Sequence, residues 1–202
     1  MARLEPERRS FFNETDRLLR LLNSTASIET THRRVIAEII HLRLAILVEN
    51  HLQNIISKIC CAASYLDGST PVLLIAQPSR ARAYAAMKSL NRPAEFNVRW
   101  NNGRSIRRGV QHIIAANDHC LSVMLNFGSF LTDMRYIRNH IAHRNEGSRT
   151  NFRKLVRRYY GATPPGITSG MLLLSSRVSS PRPLVEMHIL IARVLIKDLV
   201  KG

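Results

Sequence analysis

The chain is poor in lysine, in acid and in cysteine. Of its 30 basic residues only five, Lys58, Lys88, Lys154, Lys197 and Lys201, are lysine, and they face just 14 Asp and Glu, so a formal charge of +16 is carried almost wholly by arginine. Such a charge repels itself in a compact fold, which indicates a polyanionic partner. Arginine's planar fork holds phosphate oxygens bidentately and stacks on bases, and that points to nucleic acid. An arginine-rich codon usage is the bland source of the same bias. Cys60, Cys61 and Cys120 form no CxxC pair, and adjacent cysteines make no ordinary structural bridge, so they read as small buried hydrophobes in a reducing compartment. His32, His41, His51, His112, His119 and His188 fall into no HExxH or Cys/His pattern, so no metal and no other cofactor is expected.

Long hydrophobic runs are also missing. The two most apolar regions are broken by His41, Arg43 and Glu49 in one and by Glu186, His188, Arg193 and Lys197 in the other, which a membrane-spanning helix rarely tolerates. The first residues mix Glu5, Glu7, Glu14 and Asp16 with arginines and carry no apolar stretch of the secretory kind. A cytoplasmic protein without a membrane association is the expectation. No repeat and no low-complexity tract occurs, and 45% hydrophobic residues suffice for a core in a chain of 202. We expect a single domain over 1–202, with a core of about 10–160 and a C-terminal extension and packing helix over about 161–202.

What is present is helical periodicity. Phe11, Phe12, Leu18, Leu19, Leu21 and Leu22 share a face over about 10–22. Ser24, Thr25 and Ser27 offer capping oxygens for a long helix that runs through Ile36, Ile40, Leu44, Leu47, Leu52, Ile55 and Ile59 to about Tyr65, with Asp67-Gly68 as its stop. Glu49 and Asn50 within it either fix the bundle or face a cleft. Ala81 to Leu90 reads as a short helix, residues 91–104 as an irregular excursion, and 104–117 and 119–143 as two helices. A basic helix over about 150–160 ends at Gly161. The Thr163-Pro164-Pro165-Gly166 turn and the 179–183 segment isolate Ile167 to Val178, a hairpin or a packed loop, before a last apolar helix over about 184–200, buried in the bundle or in a subunit interface.

The segment MRYIRNHIAHRNEGSRTNFRKLVRRYYG holds Arg138-Asn139-His140-Ile141-Ala142-His143, an arginine, a polar residue, three further residues and a histidine at the end of a core helix. In this it resembles the HEPN superfamily, in the branch of antiviral and toxin-like ribonucleases and, more loosely, the RiboL-PSP-HEPN group. The resemblance implies an all-α, up-and-down helical bundle with irregular loop insertions. It implies a homodimer whose two motifs share one composite active site, and a cognate antitoxin or other regulatory partner. It implies an endoribonuclease that needs no metal, with Arg138, Asn139 and His143 as the catalytic residues.

The spacing suits that chemistry. Positions five apart on an α-helix lie about 140° apart around the axis and about 7.5 Å along it, so Arg138 and His143 line a groove rather than stack. Asn139 and His143, four apart, share a face. Cleavage by the ribose 2′-OH needs a proton acceptor, a proton donor and cationic stabilisation of the phosphorane, and leaves a 2′,3′-cyclic phosphate. Histidine exchanges protons near neutrality and arginine stays charged, which gives His143 the acid/base role and Arg138 the non-bridging oxygens. Arg135 and His140 have the same spacing, so spacing alone does not choose. The polar residue after the arginine and the alanine before the histidine favour Arg138 and His143, leaving Arg135 and His140 as phosphate contacts. Between Arg99 and Tyr160 stand twelve basic residues against Asp118, Asp133 and Glu146. Among them Arg144, Arg149 and Arg153, with Trp100 as a stacking platform, are the expected RNA contacts. The alternatives are a non-catalytic HEPN module that binds RNA or protein, a helix-turn-helix DNA binder, and a scaffold or antitoxin-like partner.

Overall fold

A computed structural model describes residues 3–91, 97–143, 145–176 and 181–202. Among the described residues it is all-helical, with nine helices: α1 Glu5–Ser24, α2 Thr30–Cys60, α3 Arg80–Ser89, α4 Gly103–Val110, α5 His119–Asn126, α6 Gly128–His143, α7 Glu146–Tyr160, α8 Ser169–Leu174 and α9 Leu184–Lys201. Two isolated backbone bridges, Arg3 with Ser64 and Leu73 with Ile114, are the β-type pairings found there. No helix among the described residues is long and apolar enough to cross a membrane.

The long α2 is the axis of the bundle, with α1, α3, α6, α8 and α9 packed around it. Its apolar residues go most of the way round: Ile40, Leu44, Leu52, Ile55, Ile56 and Ile59 are fully buried, and partners on several sides are what such a helix requires. α9 lies against α1, α2, α5 and α8, so the last apolar helix is buried within the chain's own bundle, where Leu195, Ile196 and Leu199 join the core formed by Phe11, Ile40 and Met134.

Several boundaries differ from the periodicity. α2 stops at Cys60, not near Tyr65. Ala62 takes a left-handed backbone with φ of 61°, Ala63 N–H donates to the Lys58 carbonyl at 3.0 Å and Ala62 N–H to that of Ile59 at 2.9 Å, the paired bonds of a Schellman stop built on alanine rather than glycine. Ser24 and Thr25 do not cap α2; their hydroxyls donate back to the carbonyls of Leu21 and Leu22 and finish α1, while Glu29 precedes α2 with no side-chain cap. The 119–143 stretch is two helices that meet at Phe127, and α4 packs against both. An ideal Cβ on Gly103 would stand 2.5 Å from the Met124 carbonyl oxygen and 3.2 Å from Gly128 Cα, so the close approach needs glycine. Between Val110 and His119 the chain leaves the helix, and Asp118 caps α5 while its carboxylate also accepts from the Tyr65 hydroxyl at 2.7 Å and from Val72 N–H at 2.8 Å. The Ile167 to Val178 piece contains the short α8 rather than a hairpin, with Thr168 capping it; residues 177–180 lie outside the described ones, as do 92–96 of the excursion before α4.

Candidate nucleic-acid interface

α6 carries the motif. Phe130, Leu131, Met134 and Ile137 recur one, four and seven positions apart and are buried, which seats one side of the helix on the bundle and leaves its last turn at the surface. Cations there are favoured by the helix dipole. On that turn Arg138 donates from Nη1 to Asn139 Oδ1 at 3.1 Å, and the same nitrogen lies 3.4 Å from His143 Nε2. A guanidinium only donates, so this contact requires Nε2 to be the unprotonated imidazole nitrogen, the form that accepts a proton. His143 is exposed, whereas Arg138 and Asn139 are half-buried. The three side chains thus form one hydrogen-bonded group open to solvent.

The second pair at the same spacing is placed differently. His140 stacks on Phe152 of α7 with ring centroids 4.0 Å apart and planes 6° from parallel, and its Nδ1 sits 2.8 Å from Ser169 Oγ of α8. Phe152 is itself core, at 3% exposure. Arg135 lies over the Tyr136 ring at 5.5 Å, and its Nε is buried with no hydrogen-bond partner. His140 therefore joins three helices, while among the described residues the hydrogen bond of His143 stays within α6.

α7 is held across α6 from both ends. Asn145 caps it, accepting from Ser148 N–H at 2.8 Å, and Gly161 closes it in the left-handed conformation with φ of 75°. Arg158 forms an ion pair with Asp133 of α6. This fixes Arg149 and Arg153, one turn apart, beside His140. With Phe152 and the Thr163 to Ile167 loop they line a cavity of about 570 Å³. Neither guanidinium makes a hydrogen bond or ion pair among the described residues. The loop and Ser169 were not foreseen as site residues; in the sequence, Thr163-Pro164-Pro165-Gly166 signals only a turn, and nothing local marks a serine that meets a histidine 29 positions earlier.

Other expected contacts lie elsewhere. Trp100 is half-buried and meets Tyr84 of α3 edge to face at 6.4 Å, apart from the residues lining the cavity. Arg144 lies outside the described residues. Glu49 does not reach towards Arg138; it accepts from Asn101 Nδ2 at 2.9 Å and so ties α2 to the turn before α4. Around α4, Arg104, Arg107 and Arg108 line a second cationic hollow of about 430 Å³ together with Leu121 and Leu125. Among the described residues no group of three or more His, Cys, Asp or Glu is arranged to hold a metal ion.

Burial sets the chemistry of the remaining titratable groups. Burial, with Cys61 and Asp118 nearby, pushes the Cys60 thiol up to about 12, and burial raises Cys120 well above its ordinary value. His41 and His188 meet in the core with Nε2 and Nδ1 3.2 Å apart, and burial, reinforced by the neighbouring ring, holds His41 well below the usual imidazole value. Comparison with family models, with curated proteins and with solved structures finds no match.

Proposed function

We propose that this chain is an endoribonuclease that works without a metal, a toxin or antiviral effector of HEPN type that cleaves RNA through attack of the ribose 2′-OH. The single observation that carries the reading is the hydrogen-bonded Arg138, Asn139 and His143 group on the open last turn of α6. His143, with Nε2 free of a proton in that contact, takes the proton of the attacking hydroxyl. Arg138 balances charge on the non-bridging oxygens as the phosphorane forms, and Asn139 holds the guanidinium in place. Arg149 and Arg153 beside the motif supply the phosphate track.

The same geometry supports a homodimer. Cleavage needs an acid as well as a base, the group exposes one histidine, and His140 is engaged with Phe152 and Ser169. A second copy facing the first would bring the second histidine, making one composite site. Val35, Ile39 and Ile46 leave an exposed apolar stripe on α2 for such an association. Unrestrained cleavage would harm its own cell, so a cognate inhibitor or trigger belongs to this reading.

The test is cleavage of mixed cellular RNA in EDTA by wild type beside His143→Ala, with the product ends analysed. Loss of at least about 100-fold in the variant, with 2′,3′-cyclic phosphate ends from the wild type, is expected. Equal activity in both, activity that EDTA abolishes, or no wild-type cleavage at any salt would overturn it, the last in favour of a non-catalytic RNA-binding module.

A further inference from the structure

The cavity between α7 and the Thr163 to Ile167 loop differs from an ordinary solvated arginine face. One wall is a pair of parallel rings, His140 on Phe152, locked by Ser169 and by burial of Phe152. The lining also includes Pro164-Pro165-Gly166, two rings of fixed backbone followed by a residue with φ of 71°. Proline backbones and a stacked ring pair in the lining mean that little conformational entropy is lost when a flat group enters. Arg149 and Arg153 also line it, with their donors uncommitted among the described residues. A volume of about 570 Å³ falls within the roughly 300–1,000 Å³ of small-ligand sites. A lining that combines ring-bearing residues with two guanidinium groups matches a ligand that has an aromatic ring at one end and a phosphate at the other.

We propose that this cavity is a nucleotide-binding subsite: it takes one unpaired nucleotide, the base between the His140 wall and the prolines, and the phosphate on Arg149 and Arg153. The placement gives it a role. His140 and His143 lie three residues apart on α6, about 4.5 Å along the axis and about 60° around it. A nucleotide seated against His140 therefore delivers the adjoining stretch of the strand to His143. The subsite selects single-stranded RNA, because a base inside a duplex cannot enter a walled cavity. That last step rests on the ribonuclease reading; the binding does not.

The experiment measures binding apart from cleavage. Titrate 5′-mononucleotides and ribose 5-phosphate into wild type, His143→Ala, Arg149→Ala/Arg153→Ala and, as a control of equal charge, Arg104→Ala/Arg107→Ala. Arg149 and Arg153 are exposed, so their removal leaves the core intact. Wild type, His143→Ala and the α4 control are expected to bind a mononucleotide alike, the α7 double variant at least 10-fold more weakly, and ribose 5-phosphate at least 5-fold more weakly than the nucleotide. Ile167→Trp, which fills the cavity at constant charge, is expected to lose binding as well. The proposal is overturned if wild type binds no nucleotide, if the α7 variant binds as wild type does, if the α4 control weakens equally, or if ribose 5-phosphate binds as tightly as the nucleotide. Should wild type bind in this pattern yet cut no RNA, the ribonuclease reading fails and the subsite stands.

Discussion

Lowering the pH from 7.5 to 5.5 is expected to remove up to about 1.4 kcal/mol of stability through one buried ring. His41 is fully buried on α2, its Nε2 facing His188 Nδ1 of α9 at 3.2 Å, with Phe130 of α6 against the His188 ring. Burial and the adjacent imidazole keep His41 neutral in the folded state well below the ordinary value of 6.5. In the unfolded chain it titrates near that value, so on descending through pH 6.5 the unfolded state gains a proton that the folded state refuses, and stability falls. For a ring that stays neutral throughout in the folded state the loss reaches its upper limit, RT ln(1 + 10^(6.5 − pH)), which is about 0.1 kcal/mol at pH 7.5, about 0.4 at pH 6.5 and about 1.4 at pH 5.5. Glu5 and Asp67, whose carboxyls are held low by Arg8 and by Ser69 respectively, act only below their ordinary values of 4.5 and 3.8 and so lie outside this window. Urea unfolding followed by far-ultraviolet circular dichroism at the three pH values reads the effect directly. His41→Gln, which can still hydrogen-bond His188 and takes no proton, is expected to flatten the dependence to less than about a third. Equal stability of the wild type at pH 7.5 and 5.5, or an undiminished slope in the variant, would refute the reasoning.

His140→Ala is expected to cost roughly 2 kcal/mol, through the lost ring stack and an unpartnered Ser169, while His143→Ala leaves the melting temperature unchanged; equal melting of the two variants would contradict their different packing. Gly103→Ala should destabilise by about 1–3 kcal/mol in thermal unfolding, because the new methyl meets the Met124 backbone oxygen rather than a side chain that can move. Ala62→Gly removes a left-handed strain of about 1–2 kcal/mol at an entropic cost of about 0.5–1, so a net gain of about 0.5–1 kcal/mol is expected in the same assay. Of the three thiols, Cys61 is half-buried and its thiol is raised less than the other two, so titration with a thiol reagent at pH 8 should consume one equivalent rapidly and two only on unfolding.

Helix existence was legible because it is local. The faces of α1, α2, α6 and α9 are written in apolar spacing that each segment carries by itself, α7 shows in its basic run, and Gly161 ends it as a glycine stop does. The misplaced ends have non-local or unmarked causes. The α2 stop uses an alanine in a glycine's conformation, so no residue type announces it, and the conspicuous Asp67-Gly68 lies seven residues beyond Cys60. The break between α5 and α6 lies where Gly103, from a different helix, packs closely against Met124 and Gly128. Ser24 and Thr25 had a choice of two helix ends, and hydroxyls can donate to a carbonyl at one as readily as accept from an amide at the other.

The motif shows the same division between local and long-range information. Arg135 with His140 and Arg138 with His143 have identical spacing on one helix, displaced by three residues, and periodicity cannot separate them. A displacement of three turns a side chain by about 300°, so the two histidines face neighbouring but different directions. What distinguishes them is which direction is covered. α7, fixed by Asn145, Gly161 and the Arg158 to Asp133 ion pair, lays Phe152 over one direction, and α8 brings Ser169 to the same ring. The other direction is left to solvent, where Arg138, Asn139 and His143 hold one another. A histidine that must exchange protons with a substrate needs solvent access and a movable hydrogen bond, while one that stacks at 4.0 Å on a core phenylalanine has neither to spare. The assignment of roles therefore rests on what covers α6, and Phe152→Ala, with retained helix checked by circular dichroism, uncovers His140 and should leave His143-dependent cleavage in place; cleavage that instead follows His140 would reverse the two roles.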